Sequence, residues 1–120
     1  MRTLRQIHKL ARVKDTMWEA GDLAMQLGHE GIIARKNEKD DTDVTNVDLA
    51  EHDFLTDRFG IITPDVPIVS EEGSEAANLA ALDSPDRWTI DPIDGTSYMK
   101  NYFLEGDRSK LGWGIHVGYV

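Results

Sequence analysis

Apolar and small residues recur near the start of the chain at Ile7, Leu10, Ala11, Met17, Trp18, Gly21, Ala24, Met25 and Gly28. Steps of three and four predict one amphipathic helix over 4–27. Gly28 and Gly31 supply its stop, residues 31–34 read as a short strand, and the polar run 35–43 reads as a loop. Thr45 followed three residues later by Asp48 has the form of a capping box. It opens a second, shorter helix that turns Val47, Ala50, Phe54 and Leu55 inward and stops at Gly60. Pro64 and Pro67 punctuate the connection, and residues 66–70 read as a strand that delivers Glu71 and Glu72 at its end.

The alanine-rich segment 73–86 predicts a short connecting helix closed by Ser84-Pro85. A strand over 87–90 then runs directly into Asp91-Pro92-Ile93-Asp94-Gly95-Thr96, and a last strand over 113–120 follows a loop rich in charge and aromatics. Helices alternating with short strands give a layered α/β fold. Trp18, Phe54, Phe59 and Trp88 fall at spacings that suit its core.

Composition narrows the functional classes. At 120 residues, 40% hydrophobic and 29% charged, the chain has the balance of one modest globular domain. A net charge of −9 argues against binding a nucleic-acid polymer, which needs clustered Lys and Arg. It leaves room for a small phosphorylated substrate, because acidic groups recruit divalent cations that in turn attract phosphate. With no cysteine, disulfides, thiolate metal sites and cysteine nucleophiles are excluded. No segment has the form of a signal peptide or a spanning helix, so the expected setting is cytoplasmic, with no membrane partner and self-association left open.

Two strands that each end in carboxylates bring those carboxylates together when the strand ends lie side by side, so Glu71 and Asp91 are expected to face one another. Asp94 is held close to Asp91 because Pro92 restricts the backbone and Gly95 permits the turn that follows. Three such acids without His or Cys favour a hard cation, Mg2+ or Mn2+, over zinc. Backbone N–H groups of Gly95 and Thr96, opening a helix, are placed to meet a phosphate oxygen.

Asp91-Pro92-Ile93-Asp94-Gly95-Thr96 resembles the D-P-[IL]-D-G-T signature of the inositol monophosphatase superfamily, and Ser70-Glu71-Glu72 resembles its upstream acidic pair. The stretch from Lys39 to Asp48 is similar to the family's K-x-D-x-S-P-V-T-x-x-D, with the lysine one position late and Asp43 where proline is usual. The run from Thr63 to Glu72 looks most like the 3'(2'),5'-bisphosphate nucleotidase branch. The resemblance implies the amino-terminal part of the sugar phosphatase fold, two helices packed on a mixed sheet, and a Mg2+-dependent phosphatase for small phosphomonoesters such as adenosine 3',5'-bisphosphate.

Carried over residue by residue, it implies that Glu71, Asp91 and the Ile93 carbonyl bind one Mg2+ and that Asp91 bridges to a second held by Asp94. Thr96 and Glu71 would orient the attacking water, Asp48 would support Thr96, and Gly95 and Thr96 would contact phosphate. The family's carboxy-terminal half supplies a W-D-x-A-A aspartate that nothing here matches, so the resemblance implies a metal set that these residues do not complete. The segment 104–111 reads as an insertion.

Plainer readings stand beside these. Asp91 and Asp94 are also turn formers, Asp48 is also a helix cap, and Glu72 and the acidic run 38–43 are also solvated surface. The four histidines lack ligand spacing. Rival functions are an inositol monophosphatase or sugar bisphosphatase, and a truncated, non-catalytic remnant that binds divalent ions or serves as an association module.

Overall fold

Thr3 and Gln6 cap each other reciprocally. The Thr3 N–H donates to Gln6 Oε1 at 2.8 Å and the Gln6 N–H donates to Thr3 Oγ1 at 3.2 Å, which fixes the start of helix α1 (Leu4–Glu30). In the computed structural model, residues 3–36, 42–106 and 112–120 are described. Residues 37–41, which include Lys39 and the first part of the acidic run 38–43, and residues 107–111 of the expected insertion, lie outside them.

Beyond Gly31 the expected strand over 31–34 is displaced. Asn46 occupies the positions a strand partner would use, its side chain taking the Ile33 N–H at 2.9 Å and donating to the Gly31 carbonyl at 3.0 Å. Pairing begins only at Ala34, where β1 (Ala34–Lys36) and β2 (Asp43–Thr45) form an antiparallel pair that overlaps the two ends of the loop expected over 35–43. Helix α2 (Asn46–Ile62) starts at the Thr45 capping box as expected, but runs two residues past Gly60. Leu55, Phe59 and Ile62 hold it on the core, and that burial outweighs the roughly 1 kcal/mol helix penalty of one glycine.

The three-stranded sheet is mixed. β3 (Ile68–Ser70) pairs parallel with the central β4 (Trp88–Asp94), and β5 (Gly114–Tyr119) pairs antiparallel on its other side. The short helix α3 (Glu75–Leu82) makes the crossover from β3 to β4. The helix expected to open at Gly95 and Thr96 is present as α4, which runs from Thr96 to Glu105 into the segment read as a loop before β5. Its Met99 is fully buried, and Phe103 lies where any side chain at Gly28 would be.

Helices α1 and α2 cover one face of the sheet, with Ala20, Leu55, Phe59, Ile62 and Ile90 in one cluster and Ala24, Val47, Ile93 and Met99 in another. On α1 the buried positions are Thr16, Ala20, Ala24 and Gly28, one every four residues, and their small size lets α2 approach closely. That choice of face corrects the expectation for Trp18: two residues from Ala20, it points away from the core and is 69% exposed. Phe59 is buried and stacks on the partly buried Trp88 at 4.7 Å, and the Trp88 indole donates to Thr63 Oγ1 at 2.8 Å. Among the described residues no helix is long and apolar enough to cross a membrane.

Candidate active site

Strand register decides which side chains meet. Ser70 lies opposite Ile90, and both are buried. Ile90 packs into the cluster beneath the helices, so the next residue on each strand, Glu71 and Asp91, turns to the opposite face. Because β3 and β4 are parallel, both acids emerge at the same end of the sheet, where the Glu71 N–H donates to the Ile90 carbonyl at 3.4 Å. Open α/β sheets place ligands at this end of their strands.

Asp94 would face away from Asp91 in a regular strand, being three residues on. A bulge corrects this. Asp91 pairs with His116 and Asp94 with Gly114, so three steps along β4 match two along β5, and the extra residue restores Asp94 to the face of Asp91. Pro92, which has no N–H to give the ladder, lies within the bulge.

The chain then turns through Gly95, whose φ of +80° suits glycine. A Cβ there would also stand 2.4 Å from the Gly112 carbonyl oxygen. Gly95 is the N-cap residue of α4 and makes no side-chain cap, so the N–H groups of the first turn, which have no partner within the helix, receive none from it.

Glu71, Glu72, Asp91, Ile93, Asp94, Gly95 and Thr96 together line a cavity of about 670 Å³ with Thr42, Asp43, Ser97 and Tyr98. The Asp91 carboxyl is pushed up to about 6, first by burial, then by the charges of Glu71 and Asp94, and by a hydrogen bond it gives to Glu71 when protonated; His116 pulls the other way. Its Oδ1 is buried without a hydrogen-bond partner, an orphaned acceptor of the kind a bound cation would satisfy. The carboxylates that line this cavity suit a hard divalent ion. As the side chains stand, no three acidic or histidine groups among the described residues form a closed cage for one ion. Asp94 is half exposed, with one oxygen 3.8 Å from His116 Nε2.

Asp48 does two things at once. Its Oδ2 accepts from the Thr45 N–H at 2.9 Å, closing the cap of α2, while its Oδ1 accepts from the Thr96 hydroxyl at 2.9 Å. Asp48 is 1% exposed, and the cap and the link to Thr96 share one carboxylate. At the cavity rim Asp43 is held below the usual carboxylate range by hydrogen bonds to Lys100 and then Lys36. The Lys100 bond ties the β1–β2 hairpin to α4 through Asp43, the residue that departs from the proline of the resembled pattern. His116 is the neighbour that sequence spacing missed: it reaches the acids only through antiparallel register, which leaves no local signal.

The inositol monophosphatase family model matches residues 6–107. The chain is 33% identical over 94 residues to a 3'(2'),5'-bisphosphate nucleotidase CysQ from Aggregatibacter actinomycetemcomitans, covering 78% of this chain and 35% of that protein. It is also 33% identical over 115 residues to a glucose-1-phosphate thymidylyltransferase from Streptomyces griseus, covering 95% and 38%. Among solved structures, a Thermotoga maritima IMPase superposes with a TM-score of 0.70 at 25% identity, covering 94% of this chain and 39% of that one. The chain therefore spans between 35% and 39% of the length of these relatives. With the family model extending over most of its residues and the fold matching as well, the chain belongs to the inositol monophosphatase family.

Proposed function

We propose that this chain forms the metal-binding part of a Mg2+-dependent phosphatase acting on a small phosphomonoester. The observation that carries the reading is the meeting of Glu71 and Asp91 from adjacent parallel strands, with one Asp91 oxygen, Oδ1, buried and without a hydrogen-bond partner. Glu71, Asp91 and the Ile93 carbonyl would hold one Mg2+, and Asp91 and Asp94 a second. When bound, such ions lower the pKa of coordinated water and neutralise charge on the transferring phosphoryl group.

The chain's own groups supply orientation. The Thr96 hydroxyl proton is directed to Asp48 at 2.9 Å, so the Thr96 oxygen keeps its lone pairs for accepting a hydrogen bond from the attacking water. Glu71 accepts the water's other proton. Water adds at phosphorus as the ester P–O bond breaks, its proton passes to Glu71, and the departing oxygen takes a proton from solvent. The N–H groups at the start of α4, beside Gly95, hold a phosphate oxygen.

Within this class we favour a 3'(2'),5'-bisphosphate nucleotidase acting on adenosine 3',5'-bisphosphate. The support is the CysQ likeness and the Thr63 to Glu72 run. The second relative's name denotes a different reaction, so identity at this level does not by itself select the substrate. The test is phosphate release by the chain with Mg2+ from adenosine 3',5'-bisphosphate and, in parallel, from inositol 1-phosphate. Faster release from the nucleotide supports the reading, and preference for inositol 1-phosphate replaces it with the inositol phosphatase. Mg2+ binding with no release from either favours a cation-binding module that needs further polypeptide to act.

A further inference from the structure

Ser70, the residue immediately before Glu71, is gripped by side chains from two helices. Asn78 of α3 accepts from the Ser70 N–H through Oδ1 at 3.1 Å and donates from Nδ2 to the Ser70 carbonyl at 2.8 Å. His52 of α2 lies 2.8 Å from Ser70 Oγ through Nδ1. Ser70 itself is 2% exposed, and its carbonyl also receives the Gly73 N–H at 3.0 Å.

The geometry has a simple origin. In a parallel ladder, alternate residues direct their N–H and C=O groups to opposite sides of the strand. Glu71 sends its N–H to β4, so the polar groups of Ser70 point outward from the free edge of β3. One carboxamide carries a donor and an acceptor side by side, and Asn78 therefore satisfies both groups as a further strand would. It closes the sheet edge at the point where the chain leaves β3 to present Glu71.

The geometry points to Asn78 as a positioning residue: by clamping Ser70 on the β3 edge, its carboxamide fixes where Glu71 stands relative to Asp91. This rests on the proposed role of Glu71 as a metal ligand, but the clamp is measurable separately. The β3 strand is three residues long and has one strand partner among the described residues, so on its outer edge the Ser70 N–H depends on Asn78, beside the His52 contact to the hydroxyl and the Gly73 turn. Loss of the carboxamide leaves the Ser70 N–H unpaired and the Ser70–Glu71 peptide held only by Gly73 and Ile90, while the helix–sheet core, built from α1, α2 and β4, stays intact.

The experiment compares wild type with Asn78→Ala in the full chain by amide hydrogen exchange and by Mn2+ titration calorimetry. Exchange at Ser70 and Glu71 should accelerate about tenfold, as expected for losing net hydrogen bonding of ordinary strength, while amides of Leu55 and Phe59 are unchanged. Mn2+ affinity should fall about tenfold, the effect of removing a group that orients a metal-ligating side chain. Asn78→Asp, which keeps the acceptor for the Ser70 N–H but sets an oxygen against its carbonyl, should behave like Asn78→Ala. Unchanged exchange at Ser70 and Glu71 overturns the clamp, and so does faster exchange with unchanged Mn2+ affinity. Uniform acceleration through α2 would show a purely structural role and also overturn it. If wild type takes up no Mn2+, the metal reading of Glu71 fails, while the exchange comparison still decides whether Asn78 holds the strand end.

Discussion

Among the described residues, the carboxyl groups of Asp91 and Glu51 carry buried oxygens without hydrogen-bond partners, and they differ in what surrounds them. Asp91 stands in an open acidic cavity at the strand ends, pushed up to about 6 by burial together with the charges of Glu71 and Asp94. Glu51 lies fully enclosed on α2, pushed up to about 8 by burial alone, with the backbone of Ala24 approaching favourably but no hydrogen bond to either oxygen. Like charges gathered in a cavity invite a cation, because the ion relieves repulsion and desolvation together. A lone acid inside a helix interface can only hold its proton. The same raised proton affinity thus marks a candidate site in one place and a stability cost in the other.

Substitutions should separate the two. The largest effect is expected at Asp91→Asn, which should weaken Mg2+ binding at least about a hundredfold by calorimetry, since Asp91 is proposed to serve both ions. The melting temperature should hold or rise, because repulsion is relieved. Wild-type affinity should also fall below about pH 6 as Asp91 takes up its proton. Mg2+ binding retained in Asp91→Asn would erase the contrast with Glu51.

Glu51 comes next. Its folded pKa lies above its unfolded value of 4.5, so the folded state binds more protons than the unfolded one between about pH 4.5 and 8, and stability falls as pH rises across that window. Between pH 6.5 and 8 this costs about 2 kcal/mol, at ~1.4 kcal/mol per pH unit. Glu51→Gln should remove that slope in urea unfolding and leave Mg2+ affinity unchanged. An identical slope in the variant would show that Glu51 ionises freely.

Smaller effects sharpen the picture around Asp48. Thr96→Val leaves Asp48 Oδ1 without its donor and should cost about 1.5 kcal/mol of stability. Last, Glu72→Gln should change Mg2+ affinity by less than about twofold, since a charge beside the site contributes little through solvent.

Much of this arrangement is written in local sequence. Thr45 and Asp48 announce a helix start because capping is decided within four residues, and Asp91 to Thr96 concentrates two acids, a glycine turn and a helix start in six. What escapes is set by distant partners. The strand β1 begins at Ala34 because Asn46 claims Gly31 and Ile33. Trp18 is exposed because small residues on another arc of α1 face α2. His116 joins Asp94 through cross-strand register, and the extent of helix α4 beyond its first turn depends on Met99 and Phe103 finding their places against the core. Glu51 interrupts the apolar face of α2, and nothing in its neighbours foretells that it is fully buried.

The most direct test is to follow the backbone NMR spectrum while adding trace Mn2+, whose unpaired electrons broaden nearby resonances. If carboxylates from neighbouring strand ends bind the ion together, Glu71, Asp91, Ile93 and Asp94 should fade first, with Glu51 and Leu55 persisting. Preferential loss at exposed acids such as Asp53 and Asp57, with Glu71 and Asp91 intact, would contradict the account.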